Sequence, residues 1–151
     1  MHCLRAQGAQ VLDLEGLANH RSSVLGIIPG EAQPSQKHFD TLLWDAIRNM
    51  DTSKPVYVES ESRKVGNLAV PESLILAMRA SPCYSLELPD EERVKLLLED
   101  YDFFVKDPSF FSKRLDALIT IRGKQVVEDW QAQIAVGQIE DVVRDLLKLH
   151  Y

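Results

Sequence analysis

Residues 39 to 58 constrain the fold more than any other stretch of the chain. Phe39, Leu42, Leu43, Ala46, Ile47 and Met50 recur at i, i+3, i+4, i+7, i+8 and i+11, which lines one face of an α-helix with apolar groups. Lys54-Pro55 closes the connection, and Val56-Tyr57-Val58 follows as a short β-rich run leading into Glu59. Upstream, residues 9–14 (AQVLDL) read as a buried strand. Strand, amphipathic helix and strand in that order make a βαβ unit, whose two strands lie parallel. Chemistry in such sheets gathers at the carboxyl ends of the strands.

The rest of the chain is placed around this unit. Leu4-Arg5-Ala6-Gln7-Gly8 reads as the last turn of a helix with Gly8 just past its end. Too few residues precede Gly8 for an average helix, so the reading expects a truncated start, with a short frayed turn as the alternative. Residues 15–37 hold Gly16, Gly26, Pro29, Gly30 and Pro34 with little apolar periodicity, and are expected to form a loop of more than twenty residues. Pro71 is expected to start a short helix through Met78, and residues 84–88 a third strand. From Pro89 onward the pattern is helical, with apolar stripes at Val94, Leu97, Leu98 and Tyr101, at Phe111, Leu115 and Leu118, at Val127, Trp130 and Ile134, and at Ile139, Val142, Val143 and Leu146. The expected organisation is an α/β part over 1–88 and a helical part over 89–151.

Composition narrows the function. Aromatic residues make up 7% of the 151 residues, so a core must be mainly aliphatic. A net charge of −6 and a pI near 5.2 argue against a free-standing basic nucleic-acid binder. The deficit is uneven: residues 1–66 carry 7 basic and 8 acidic side chains, and 67–151 carry 10 and 15, so the first half can host a local anion site. Cys3 and Cys83 are far apart and in no metal-ligand spacing, and no apolar run reaches the roughly 20 residues a membrane helix needs. A reduced, cytoplasmic setting with no membrane partner is the expectation.

The candidate chemistry lies at the strand ends. Asp13 and Glu15, two apart, are expected to point to one side of the first strand end, and Glu59 and Glu61 to repeat the arrangement at the second. Such carboxylates either hold Mg²⁺ or activate a nucleophile, or cap local amides and pair with Arg21 and Arg63. His20, Arg21 and Ser23 in the long loop, Gln36 and Lys37 at the entry to the helix, and Arg63 beyond the second strand supply donors for an anion. Arg21 and Arg63 are expected to converge. Trp44 lies opposite the apolar stripe of its helix; partial core packing is expected, an exposed contact being the alternative. No GxxxxGK[ST] loop, GxGxxG, HExxH or nucleophile elbow is present.

Three segments carry a resemblance: Asp13-Leu14-Glu15-Gly16-Leu17-Ala18-Asn19-His20-Arg21, Gln33-Pro34-Ser35-Gln36-Lys37, and Val58-Glu59-Ser60-Glu61-Ser62-Arg63-Lys64-Val65-Gly66. They resemble successive motifs of the bacterial tRNA 2-selenouridine synthase family, and the similarity continues through Pro71, Met78, Arg93 and Asp100-Tyr101. The resemblance implies an enzyme that replaces the sulfur of wobble 2-thiouridine in tRNA with selenium from selenophosphate, by way of an S-geranylated intermediate made with geranyl diphosphate. It further implies an N-terminal rhodanese-like domain with a catalytic Cys and a P-loop domain. This chain matches the part of the P-loop domain after its phosphate loop, a partial P-loop NTPase-like sheet followed by helices, and alone should be nearly inactive. In that reading His20, Arg21, Ser23, Gln36, Lys37 and Arg63 meet phosphate oxygens, and Asp13, Glu59 and Glu61 position Mg²⁺, water or the basic groups. No tightly held cofactor is implied. Ser22 stands where the family has Gly, and Leu25 where it has Phe. The competing expectations are a non-catalytic tRNA- or protein-binding module and a small P-loop phosphotransferase.

Overall fold

Gly8 sets up the first strand in the computed structural model, which describes residues 1–21 and 23–149. A first helix, α1 (His2–Ala6), ends with Gly8 at φ +84°, a left-handed conformation that glycine adopts without a side-chain penalty. The Gly8 N–H then bonds the Arg5 carbonyl at 3.0 Å and the Ala9 N–H bonds Leu4 at 3.1 Å, which closes the helix as a Schellman motif. The chain turns directly into β1 (Gln10–Leu12).

Strand β1 pairs in parallel with β2 (Val56–Val58), in the register Gln10↔Val56, Val11↔Tyr57 and Leu12↔Val58. The crossover holds α2 (Leu14–Ala18) and α3 (Gln36–Arg48). Ser35 caps α3 by accepting the His38 N–H. The Gln10 side chain pins the end of the crossover, donating to the Asp51 carbonyl at 3.0 Å while accepting the Asp51 N–H at 2.6 Å.

Two expectations are corrected here. The stretch after β1 is not loop throughout: Asp13 accepts the Gly16 N–H at 2.8 Å and starts α2, which Asn19 ends in the left-handed conformation. Helical geometry separates Asp13 from Glu15, so they do not share a strand face. Beyond α2 the chain is tied locally, by a bridge between His20 and Ile27 and by the Arg21 N–H on the Gly26 carbonyl at 2.9 Å.

A hairpin follows β2 that the sequence pattern does not announce. Strands β3 (Lys64–Val65) and β4 (Leu68–Ala69) are antiparallel and turn through Gly66 at φ +59°. Its strands are two residues long and are held from outside. Gln33 donates to the Ala18 and Val65 carbonyls at 3.2 and 3.0 Å and accepts the Asn67 N–H at 2.9 Å. Gln36 donates to the Ala69 carbonyl and accepts its N–H, as a neighbouring strand would. Helix α4 (Glu72–Ala80) starts at Pro71. Leu12, Leu14, Ala18, Phe39, Leu43, Val65, Leu68, Val70 and Ile75 form the core under these elements.

The chain divides into two compact units, Met1–Tyr84 and Ser85–Tyr151. Residues 84–88 form no strand. Leu86 is 97% exposed and Tyr84 79%, so the β-forming side chains there have no face to bury and no partner strand to pair with. The second unit is helical: α5 (Asp90–Asp100), α6 (Asp102–Lys106), α7 (Pro108–Leu115), a 3-10 turn (Asp116–Leu118), α8 (Ile119–Arg122), α9 (Lys124–Ala135) and α10 (Ile139–Leu149). Asp107 caps α7 with Pro108 at its first position. Helix α5 packs on α10, and α9 packs on α7 and α10. Phe104 stacks on Phe111 with ring centroids 4.6 Å apart, beside buried Leu115, Leu118, Val127 and Trp130. Among the described residues, no helix is long and apolar enough to cross a membrane.

Candidate functional site

The register of the parallel pair decides which acidic groups meet. Leu12 lies opposite Val58, so the next residues, Asp13 and Glu59, face each other across the two strand ends. The sequence pairs acids along each strand; the fold pairs them across it. Glu59 reaches over β1 to accept the Leu14 N–H at 3.1 Å, and Asp13 caps Gly16. Their carboxyl groups are close enough for each to shift the ionisation of the other.

The two carboxyls are shifted in opposite directions. Burial first, then the hydrogen bond and charge of Asp13, push Glu59 up to about 7, against the lowering effect of the Leu14 N–H. Burial pushes Asp13 upward too, but the Gly16 N–H, the bond from Glu59 and the positive charge of Arg5 outweigh it and hold Asp13 below the usual range. Arg5 stands 3.8 Å from the Asp13 carboxylate. Two neighbouring carboxyls resist ionising together, which favours the protonated form at Glu59 and the ionised form at Asp13.

The other expected site residues separate into groups. Glu61 is partly buried, and its N–H bonds the Glu59 carbonyl at 2.8 Å. His20 is buried, which takes its ring off the exposed anion-facing surface. Ser23 accepts the Leu25 N–H at 3.0 Å, so its hydroxyl shapes a turn. Gln36 is a latch for β4: its amide is committed to Ala69 and Asp40, leaving no group for a phosphate. Arg21 is partly buried, whereas Lys37 and Arg63 are exposed. The single Gln33 amide nitrogen reaches both the Ala18 and the Val65 carbonyls, which ties the end of α2 to the hairpin. Ser22 lies outside the described residues; Leu25 is buried.

One oxygen of each carboxyl accepts a backbone N–H, and among the described residues no group of three or more His, Cys, Asp or Glu is gathered together. Gln33, which opens the second resembling segment and reads in the sequence as a donor at the helix entry, joins α2 to the hairpin, and Arg5, which the pattern did not single out, lowers Asp13 by its charge.

A βαβ crossover with Asp13 and Glu59 meeting across its two strand ends defines an α/β unit whose acidic groups gather at the carboxyl edge of its parallel pair. The chain belongs to the tRNA 2-selenouridine synthase AAA domain family, whose model matches residues 3–140. It is 43% identical over 94 residues to the tRNA 2-selenouridine synthase of Marinobacter nauticus, covering 60% of this chain and 25% of that protein. The synthase of Alcanivorax borkumensis is 40% identical over 97 residues, covering 63% and 26%, and that of Cupriavidus necator 41% over 92 residues, covering 60% and 25%. The aligned stretch spans about a quarter of the length of these relatives. No solved structure matches the chain.

Proposed function

We propose that this chain forms part of the substrate site of a tRNA 2-selenouridine synthase, which converts wobble 2-thiouridine in tRNA to 2-selenouridine through an S-geranylated intermediate, with geranyl diphosphate and selenophosphate as co-substrates. The observation that carries the reading is the family match across nearly the whole chain, in the segments that bear Asp13, Glu59, Lys37 and Arg63. In this proposal the unit is the later part of a P-loop-like domain, and the phosphate loop and rhodanese-like domain belong to the rest of the synthase.

The residues then divide the work. Geranyl transfer expels diphosphate, and the exposed cations Arg63 and Lys37 balance its charge, together with Arg21. Exchange of sulfur for selenium forms a C–Se bond from selenophosphate and breaks the C–S bond to expel geranylthiolate, leaving the P–Se bond to be cleaved by water with release of phosphate. The expelled thiolate must take up a proton. Glu59, protonated near neutrality, supplies it, and Asp13 stays ionised to hold Glu59 in place. Glu61 extends the acidic edge beyond Glu59.

The test is the 2-selenouridine content of tRNA from cells that lack the synthase and express a full-length synthase carrying this segment. Glu59→Gln keeps the hydrogen bonds but has no proton to give, and should lower turnover by about 10²-fold or more. Arg63→Ala should raise the requirement for geranyl diphosphate. A second reading, a non-catalytic tRNA- or protein-binding module, is favoured by one observation: both carboxyls already serve as caps for α2. Unchanged selenouridine in both variants would establish that reading and remove these residues from the chemistry.

A further inference from the structure

Among the described residues, β1 and β2 pair only with each other, so each has one open edge. The two strands differ in shelter. Helix α1 packs against β1, whose Gln10, Val11 and Leu12 are half-buried or buried. In β2, Val56 is 41% exposed and Tyr57 36%, and only Val58 is half-buried. Successive residues of a strand point to opposite faces, so Val56 and Tyr57 leave apolar surface open on both faces of the sheet.

A parallel sheet is normally covered on both faces by the helices of its crossovers, and its strands are apolar on both sides for that reason. Val56-Tyr57-Val58 has this composition, with none of the charges or bulges that blunt a strand edge meant for solvent. The outward N–H and C=O groups of β2 can all be met only by another extended backbone at strand spacing. The two open faces require more than a lone peptide: a strand with a helix packed to it. A second copy of this chain fits poorly. Two-fold symmetry would pair β2 antiparallel with itself, setting Pro55, which has no N–H, at the end of a three-residue ladder and bringing together two chains of net charge −6. The aligned stretch is 25% of the Marinobacter nauticus synthase, which leaves most of such a protein to supply the missing strand.

We propose that the open edge of β2 receives a third strand, parallel to it and carrying a helix, from the part of the synthase outside the aligned stretch. The inference rests on the reading above and deepens it. Parallel strands end at the same edge of their sheet, so the carboxyl end of the added strand arrives beside Glu59, on the side away from Asp13. Residues at that end then share the site with the carboxyl pair, which in the chain alone is walled by β1 and open on the flank of β2.

Amide hydrogen exchange read at single residues tests this. In the isolated chain, the β2 amides that face β1 should exchange slowly and those that face outward quickly, an alternation along Val56, Tyr57 and Val58. In a full-length synthase carrying this segment, the outward amides should slow by roughly 100-fold or more. Val56→Lys should leave urea unfolding of the isolated chain nearly unshifted, because the side chain already meets water, and should lower the midpoint of the full-length protein, where the site is covered. Outward amides that exchange equally fast in both proteins would overturn the added strand, and, with 2-selenouridine still formed, would leave the functional reading standing. Slow outward amides in an isolated chain that sediments as a dimer would also overturn it, by giving the edge to a second copy. Protection gained in a full-length protein that forms no 2-selenouridine would support the strand and remove the functional reading.

Discussion

Replacing Glu59 by Gln should make the protein more stable at about pH 8 and flatten its stability between about pH 5 and 7.5. Glutamine retains an oxygen for the Leu14 N–H and presents an N–H to Asp13, so it reproduces the protonated carboxyl without its titration. The sign follows from the shift. Glu59 rises from 4.5 to about 7 in the folded protein, so between those values the folded state binds more protons than the unfolded chain. Its contribution is fully present below 4.5 and is lost as pH rises through 7. Such a rise corresponds to at most about 3 kcal/mol at roughly 1.4 kcal/mol per tenfold change. Water reaching the half-buried pair reduces this to about 1–2 kcal/mol. Asp13, held low, works in the opposite sense: its contribution is present above 3.8 and lost as pH falls through its lowered value, outside this window. Urea unfolding of both proteins across the pH series reads the difference. Identical midpoints at about pH 8, with the same slope in both proteins, would refute the raised ionisation of Glu59.

Other expectations concern the latch and the surface. Gln33→Ala removes the partner of two carbonyls and one N–H and should cost about 1–3 kcal/mol in urea unfolding, with amide exchange rising first at β3 and β4. Gly66→Ala should destabilise by at least about 1 kcal/mol, because the left-handed turn disfavours a side chain and the new methyl would meet the Gln33 amide. Phe39→Ala should cost about 3–5 kcal/mol, as the ring is fully buried in the core. Arg144→Ala should leave the urea midpoint nearly unchanged, since its partners Glu91 and Glu140 are largely exposed.

How much of this was legible in the sequence depends on the length of each signal. Helix α3 and the parallel partnership of β1 and β2 follow from apolar spacing that runs over three turns and from the strand it leads into. The hairpin is illegible because two-residue strands carry no period; it exists through Gln33 and Gln36, which are ordinary polar residues until the fold brings β3 and β4 beside them. Residues 84–88 mislead for the opposite reason, since tyrosine and leucines suggest a strand only where a sheet is available to receive them. Asp13 and Glu59 were legible as candidates, but their partnership was not, because it depends on register. Gln36 and Ser23 look like anion donors in the sequence and prove to be bound to their own backbone. Trp44 is exposed rather than packed, a choice that spacing alone left open.

The pair of carboxyls at the strand ends links the fold to the proposed chemistry, and its ionisation can be followed directly. Side-chain carbon shifts of Glu59, assigned by loss of its signal in Glu59→Gln, can be followed from about pH 3 to 9 by NMR. A midpoint near 7, with a small coupled displacement at Asp13 over the same range, is the predicted result. A Glu59 midpoint near 4.5, independent of Asp13, would contradict it.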